Sequence, residues 1–173
     1  MLPEEERAFR RLRDDGEAAR FVAEFWRRRD PDPERPETNP FHDRFEQRVA
    51  AADRLYAEGG ERGSLTDRGH ALVLLGAPPR LKVGQQTAPA WSPRRSGRAP
   101  GFTVEQVRVE VWEYDREALW PQLAVLLERE GRQELVLTFL IEAGRATLVE
   151  GERLLDVAAL ASVRPGGDPA PDS

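Results

Sequence analysis

The chain changes from polar to apolar sequence at Gly63-Ser64-Leu65-Thr66-Asp67-Arg68-Gly69-His70, followed by Ala71-Leu72-Val73-Leu74-Leu75. The short polar residues favour a turn, because their side chains bond nearby backbone N–H groups and Gly69 accepts backbone conformations that other residues resist. The apolar run after them is continuous, which is typical of a strand buried on both faces. We therefore predict a structural turn at Thr66–Gly69 and a first strand over about 71–75.

Three helices are predicted before this turn, over about 3–13, 17–29 and 40–58. The first begins at Pro3, and its acidic start and basic end suit the helix dipole. The second has apolar residues at the three-and-four spacing of one buried face, and Pro31 ends it. The third begins at Asn39, a good N-cap, with Pro40 at its first position.

The sequence after the turn predicts a small, mainly antiparallel sheet. Strands are expected over about 71–75, 107–113, 135–141 and 146–150, with further helices near 120–129 and 153–160. The predicted class is α+β, in which the three N-terminal helices pack on the sheet. Residues 1–163 are expected to form a single domain, and the Pro, Gly and Asp-rich tail over 164–173 is expected to be disordered.

A long segment over about 76–102 is predicted to be a loop, because it contains five prolines and four glycines. Between residues 76 and 104 it has five basic residues and no acidic one, in a chain whose net charge is −5. Because Trp and Arg are common at binding hot spots, we predict a binding loop. Its candidate residues are Arg80, Lys82, Trp91, Arg94, Arg95 and Arg98.

Three interpretations of this basic loop stay open. It folds back on the acidic body of its own chain, it binds another protein with an acidic surface, or it binds nucleic acid or another anion. Nucleic acid accepts aromatic and cationic groups together. The sequence pI of about 5.3 argues against that partner, because nucleic-acid-binding domains are usually basic.

Several motifs stand in a fixed order: 25–31 (Phe25 to Pro31), Glu37-Thr38-Asn39, Arg48-Val49-Ala50-Ala51-Ala52, Gly63 to Gly69, Ala71 to Leu75 and Gly76-Ala77-Pro78. This order resembles the GWxTD domain, a bacterial family without an assigned biochemical activity. The resemblance covers about 3–79, with a weaker match at 110–114. It implies the architecture and supplies no catalytic residue. The Trp that names the family is Ser64 here.

The motif residues to which we assign a structural role are Trp26, Arg28, Arg29, Asp30, Thr66, Asp67, Arg68, Gly69 and Trp112. Arg28 and Arg29 are expected to be solvated at the C-terminal end of the second helix, where the helix dipole favours cations. Two alternatives stay open. Arg28 or Arg29 turns inward and pairs with Asp67, which would tie the second helix to the sheet, or Asp67 binds a ligand or takes part in catalysis.

Most signatures of catalysis are absent from the sequence. The chain has no cysteine, which excludes disulfides, thiolate metal sites and a Cys nucleophile. His42 and His70 lack metal-site spacing, and neither a nucleophile elbow nor a phosphate-binding loop is present. We therefore predict no catalytic residue, metal or cofactor.

Two functional hypotheses follow. The favoured one is a non-catalytic interaction or assembly module that binds an acidic protein surface through the basic, Trp-containing loop. The alternative is a small-ligand binder or enzyme with a pocket around Asp67 and neighbouring arginines. The acidic start of the chain shows no secretory signal and no run reaches the roughly 18 apolar residues of a membrane span, so a cytoplasmic location is expected, with export as the alternative if a leader was removed.

Overall fold

A computed structural model describes residues 3–32, 34–35, 38–92, 101–119 and 121–162. Its α-helices are α1 (Pro3–Phe9), α2 (Asp15–Arg27), α3 (Pro40–Tyr56), α4 (Asp67–Leu75), α5 (Pro121–Arg129) and α6 (Glu152–Ser162). Its strands are β1 (Arg80–Ser92), β2 (Gly101–Asp115), β3 (Glu134–Glu142) and β4 (Arg145–Glu150). The strands form one antiparallel sheet in the order β1-β2-β3-β4, so the described part of the chain has the predicted α+β class.

The predicted strand over 71–75 is wrong, because these residues form the second half of helix α4. Thr66 is the N-cap of α4, and Gly76 follows its last residue with a left-handed φ of 83°. A Thr before the first turn and a Gly after the last are the ordinary signals of a helix start and end. A short apolar run does not distinguish a buried strand from a buried helix, so these flanking signals decide.

Two glycines allow α4 to approach α3 closely. A one-turn 3-10 helix, Gly63–Leu65, lies between the two helices. A Cβ atom on Gly69 would lie 1.7 Å from the carbonyl oxygen of Gly63, and one on Gly63 would lie 1.9 Å from the carbonyl oxygen of Ala52. No side chain fits in either gap. The requirement for glycine at both positions therefore comes from backbone-to-backbone packing.

The predicted loop over 76–102 is also wrong, since most of it is strand β1 and the start of β2. Strand β1 pairs with β2 along its whole length, from Arg80 opposite Glu113 to Ser92 opposite Gly101. It lies at the edge of the sheet, and its residues from Arg80 to Thr87 are all exposed. An exposed edge strand needs few apolar residues, which explains why composition alone indicated a loop.

The β1–β2 hairpin extends past the rest of the sheet. Strand β3 pairs with β2 only between Arg108 and Asp115. The stretches Gln86–Ser92 and Gly101–Val107 therefore pair with each other alone. We call this two-stranded extension the β1–β2 arm.

The core lies on one face of the sheet. Trp112 and Tyr114 of β2 pair with Leu137 and Leu135 of β3, and all four side chains are fully buried. The leucines of α4, α5 and α6 that cover them are Leu72, Leu75, Leu123, Leu127, Leu154 and Leu155. Each large apolar side chain buried in this way contributes about 1.5–3 kcal/mol.

The described contacts do not confirm the expected packing of all three N-terminal helices on the sheet. Helix α3 reaches the core, where the Tyr56 ring lies 5.5 Å from that of Trp112. The contacts of α1 and α2 go to each other and to α3, as in the Phe9–Phe21 ring pair at 5.7 Å. Trp26 of α2 packs against Phe41, His42 and Phe45 of α3, with ring centroids 4.5 to 6.0 Å apart.

Most other predicted elements are present, with different ends. Helices α2 and α3 end two residues earlier than predicted, and α1 ends at Phe9 instead of about residue 13. Strands β3 and β4 agree with prediction to within one residue. Helices α5 and α6 lie where predicted. The predicted disordered tail over 164–173 lies outside the described residues.

We expect Gly69→Ala to lower the free energy of unfolding by at least about 1–3 kcal/mol, because its Cβ atom would overlap backbone that cannot move away cheaply. Urea unfolding followed by circular dichroism measures this change. The matched control is Gly84→Ala in β1, where a Cβ atom meets nothing within 4 Å. The close-packing account is contradicted if the two variants are equally stable.

Candidate functional site

Thr66 joins helix α4 to the 3-10 turn before it. The Thr66 hydroxyl accepts a hydrogen bond from the Gly69 N–H at 3.2 Å and donates to the Gly63 carbonyl at 2.8 Å. Thr66 is only 4% exposed, so these bonds are shielded from water. The residue predicted to form a turn before a strand is instead a buried helix cap.

Ser64 is held through its backbone. The Ser64 N–H donates to Asp53 Oδ1 at 2.8 Å, and Arg62 donates to Asp53 Oδ2 at 2.5 Å. The Arg62 guanidinium, helped by the Ser64 N–H, lowers the pKa of Asp53 to about 2. Asp53 therefore stays ionised at neutral pH and fixes this turn against α3.

Asp67 bonds to the edge of the sheet. Its Oδ2 accepts a hydrogen bond from the Leu148 N–H of β4 at 2.7 Å, across a separation of 81 residues. The alternative in which Asp67 pairs with Arg28 or Arg29 is therefore wrong. Asp67 does tie a helix to the sheet, but the helix is α4 and the partner is a backbone donor.

Arg68 bridges two buried carboxylates. Its Nη2 donates to Glu58 Oε2 at 2.9 Å, and its Nη1 donates to Glu110 Oε2 at 3.3 Å. The side chains of Glu58 and Glu110 are 5% and 7% exposed, and that of Arg68 is 15% exposed. The guanidinium also lies 5.0 Å from the centre of the Tyr56 ring. We call Arg68, Glu58 and Glu110 the Arg68 bridge.

The Arg68 bridge extends to strand β4 and to the surface. The second oxygen of Glu58 accepts from the Ala146 N–H at 3.1 Å. The second oxygen of Glu110 accepts from Arg108 at 2.9 Å. Burial, followed by the charge of Glu110, raises the pKa of Tyr56. No local sequence pattern indicates the contacts of Glu58 or the contact between Arg68 and Glu110, because these partners are 10 or more residues apart in the chain.

Arg29 is buried and paired, so the expectation that it is solvated is wrong. It donates to both carboxylate oxygens of Glu5, at 3.0 and 2.8 Å, and the two side chains are 1% and 2% exposed. The guanidinium also lies 3.7 Å from the centre of the Phe25 ring. Arg28 lies 3.6 Å from the same Glu5. This cluster joins α1 to α2, whereas the sequence pattern indicates for Glu5 only a favourable interaction with the helix dipole.

The remaining motif residues also have structural roles. Asp30 Oδ1 accepts from the Asp32 N–H at 3.0 Å, which forms a local turn after α2. Arg48, which sequence reasoning left without a role, is buried and lies 3.5 and 3.4 Å from the carbonyls of Val73 and Leu74. It therefore satisfies carbonyls at the C-terminal end of α4, where a cation is favoured.

Two of the predicted binding residues are paired within their own sheet. Arg80 donates to Glu113 at 3.0 Å, to Asp115 at 2.6 Å and to Glu134 at 2.8 Å. Lys82 is also hydrogen-bonded to Glu113. Lys82 and then Arg80 lower the pKa of Glu113, and Arg80 lowers that of Asp115. Of the three interpretations of the basic loop, folding back on the acidic body of its own chain describes Arg80 and Lys82.

The other predicted binding residues are less completely described. Trp91 lies in β1 opposite Phe102, and its side chain is outside the described part. Arg94, Arg95 and Arg98 lie in 93–100, outside the described residues. Trp112 is part of the core, so it is not accessible to a partner.

The described residues contain neither a candidate metal-binding group nor a membrane-spanning helix. Within them, no group of three or more His, Cys, Asp or Glu residues could hold a metal ion. None of the helices described is both long enough and apolar enough to cross a bilayer. Comparisons of the chain with protein-family models, with curated proteins and with solved structures gave no match.

We expect Asp67→Ala to speed hydrogen exchange of the Leu148 amide by about tenfold, because the amide loses a hydrogen bond worth roughly 0.5–1.5 kcal/mol. Asp67→Asn is the control, since it keeps an acceptor oxygen and should preserve most of the protection. Exchange measured residue by residue by NMR gives the comparison. Unchanged exchange at Leu148 in Asp67→Ala would contradict the role assigned to Asp67.

Proposed function

We propose that this chain is a GWxTD-like, non-catalytic interaction module that binds an acidic surface of another protein through the β1–β2 arm. The observation that carries the proposal is the shape of the arm. It is a ladder of two strands that continues where β3 no longer pairs. A two-stranded ladder stabilises a fold little, so this extension is better explained by a role outside the fold.

The charge of the hairpin supports an acidic partner. The eight residues 93–100, which join β1 to β2, contain three arginines and no acidic residue. Trp91 precedes them, and Arg with Trp is the pair enriched at interface hot spots. Arg80 and Lys82 are engaged within the sheet, so the proposal depends most on Arg94, Arg95 and Arg98.

The contacts around Asp67 favour this proposal over a catalytic or small-ligand site. Asp67 already accepts a backbone hydrogen bond, and Arg68 is shared between two buried carboxylates. Catalytic groups need free donors or acceptors directed at a substrate. In the described part of the motif, the polar groups are directed at the protein itself.

The proposal predicts that replacing Arg94, Arg95 and Arg98 together by alanine weakens partner binding by about tenfold or more, since interface arginines are frequent hot spots. The measurement is cross-linked capture from the source cells, followed by titration of the purified partner. The matched control replaces three exposed helical arginines, Arg20, Arg54 and Arg129, and changes the net charge equally.

The outcomes separate the functional classes. Loss of a protein partner only when Arg94, Arg95 and Arg98 are replaced supports the proposal. Increased dissociation of that partner at high salt supports an acidic binding surface. Equal loss in both triple variants would show a general charge effect and contradict a role specific to the arm. Capture that is abolished by nuclease would replace the protein partner with a nucleic acid.

A further inference from the structure

Two backbone N–H groups of β4 show which residues of the sheet direct their N–H and C=O groups towards each neighbouring strand. The N–H groups of Ala146 and Leu148 donate to side-chain carboxylates outside the sheet, so neither bonds to β3. In an antiparallel ladder, pairs that exchange backbone hydrogen bonds alternate with pairs that do not. Ile141 and Phe139, opposite these residues on β3, therefore direct their N–H and C=O groups towards β2.

The same alternation of hydrogen-bonded and non-hydrogen-bonded pairs extends through β2 to β1, because these strands pair without interruption. Phe139 is opposite Glu110 of β2, and Glu110 is opposite Val83 of β1, with no bulge in either ladder. Because Glu110 bonds to β3, it does not bond to β1. The N–H and C=O groups of Val83 therefore point away from the sheet. By the same alternation, the other outward-pointing residues are Leu81, Gln85 and Thr87.

Pro89 gives an independent check of this assignment. Proline has no N–H group, so within a sheet it is tolerated where its nitrogen faces away from the neighbouring strand. Pro89 belongs to the same alternate set as Val83 and lies opposite Val104 in an unbroken ladder. Its position agrees with the direction derived from β4.

The two edges of the sheet differ in how these groups are satisfied. On β4, two outward N–H groups are occupied by Glu58 and Asp67. On β1, no residue outside the hairpin, among those described, hydrogen-bonds to the backbone. A long strand with unpaired edge groups is a template for the addition of another strand. The sheet is therefore closed at one edge and open at the other.

The side chains of β1 define the chemistry of a strand that would fit there. Leu81 and Val83 lie on the same face as the core but are 54% and 55% exposed. Lys82 lies on the opposite face with a 66% exposed side chain. Its ammonium has three donors, so it can bind a second carboxylate besides Glu113. An incoming strand would meet Leu81 and Val83 on one face and the Lys82 ammonium on the other.

We propose that the β1 edge binds an extended segment of a partner protein in which apolar and acidic residues alternate. The segment adds a fifth strand, with its apolar residues beside Leu81 and Val83 and an acidic residue beside Lys82. This inference rests on the proposed interaction function and specifies how the partner is recognised.

A second copy of this chain fits the edge less well. Strand β1 contains Arg80 and Lys82 but no acidic residue from 80 to 92. Another β1 therefore brings no carboxylate to Lys82. The edge favours an acidic segment from a different protein.

The test uses a fluorescein-labelled peptide of alternating glutamate and valine, about nine residues long to match a strand. Fluorescence anisotropy is expected to show binding about tenfold tighter than that of a lysine–valine peptide of equal length. Val83→Pro, which removes one outward N–H, should weaken binding by about tenfold, and Val83→Thr, which keeps it, should not. Equal binding by the proline and threonine variants would overturn the proposal.

Hydrogen exchange provides a second measurement that needs no substitution. In the free protein, the amides of Leu81, Val83, Gln85 and Thr87 should exchange faster than those of Lys82, Gly84 and Gln86, which bond to β2. The glutamate–valine peptide should slow the first set selectively. Slowing of both sets equally, or of neither, contradicts strand addition.

These results also separate this inference from the proposed function. If Val83→Pro retains the natural partner while the arginine variant loses it, the interaction function stands and strand addition is wrong. If the peptide binds at the β1 edge but no partner depends on Arg94, Arg95 and Arg98, strand addition stands and the proposed interaction function is wrong. Sedimentation that shows a dimer abolished by Val83→Pro would assign the edge to a second copy and overturn the acidic-segment proposal.

Discussion

The Arg68 bridge joins more elements than any other polar contact described in the structure. One guanidinium on α4 binds a carboxylate that follows α3 and another on β2, and the first of these also binds the backbone of β4. Burying three charges is costly unless each is paired. Removing one of them leaves buried charge without a partner, which destabilises the fold. The packing of α3 and α4 on the sheet therefore depends on this bridge, as do the positions of the neighbouring Thr66, Asp67 and Gly69.

Side chains of the motif region also close one edge of the sheet. Glu58 and Asp67 occupy the outward donors of β4, so that edge is closed by the motif itself. Strand β1 lies three strands away and continues into the arm. We propose that the partner binds at β1, the edge that these side chains do not occupy.

Local signals predicted the helices and most strands, and they failed where the partner is distant in sequence. Asn39 and Pro40 identify the start of α3, because a cap depends on neighbouring residues. The run over 71–75 is too short for its periodicity to distinguish a helix from a strand, and the cap at Thr66 was assigned to a turn. Strand β1 has too few buried residues to be recognised before its partner is known. The contacts of Glu58 and Glu110 depend on tertiary structure, so no local pattern predicts them.

The most direct test of the account is the free energy of unfolding of Arg68→Met, measured in urea beside Arg62→Met. Arg68 lies in a buried bridge, and its loss is expected to cost roughly 3–5 kcal/mol. Arg62 belongs to a largely exposed pair with Asp53, so its loss is expected to cost clearly less than the loss of Arg68. If Arg68→Met is as stable as Arg62→Met, the bridge does not hold the fold, and the polar motif needs a functional explanation instead.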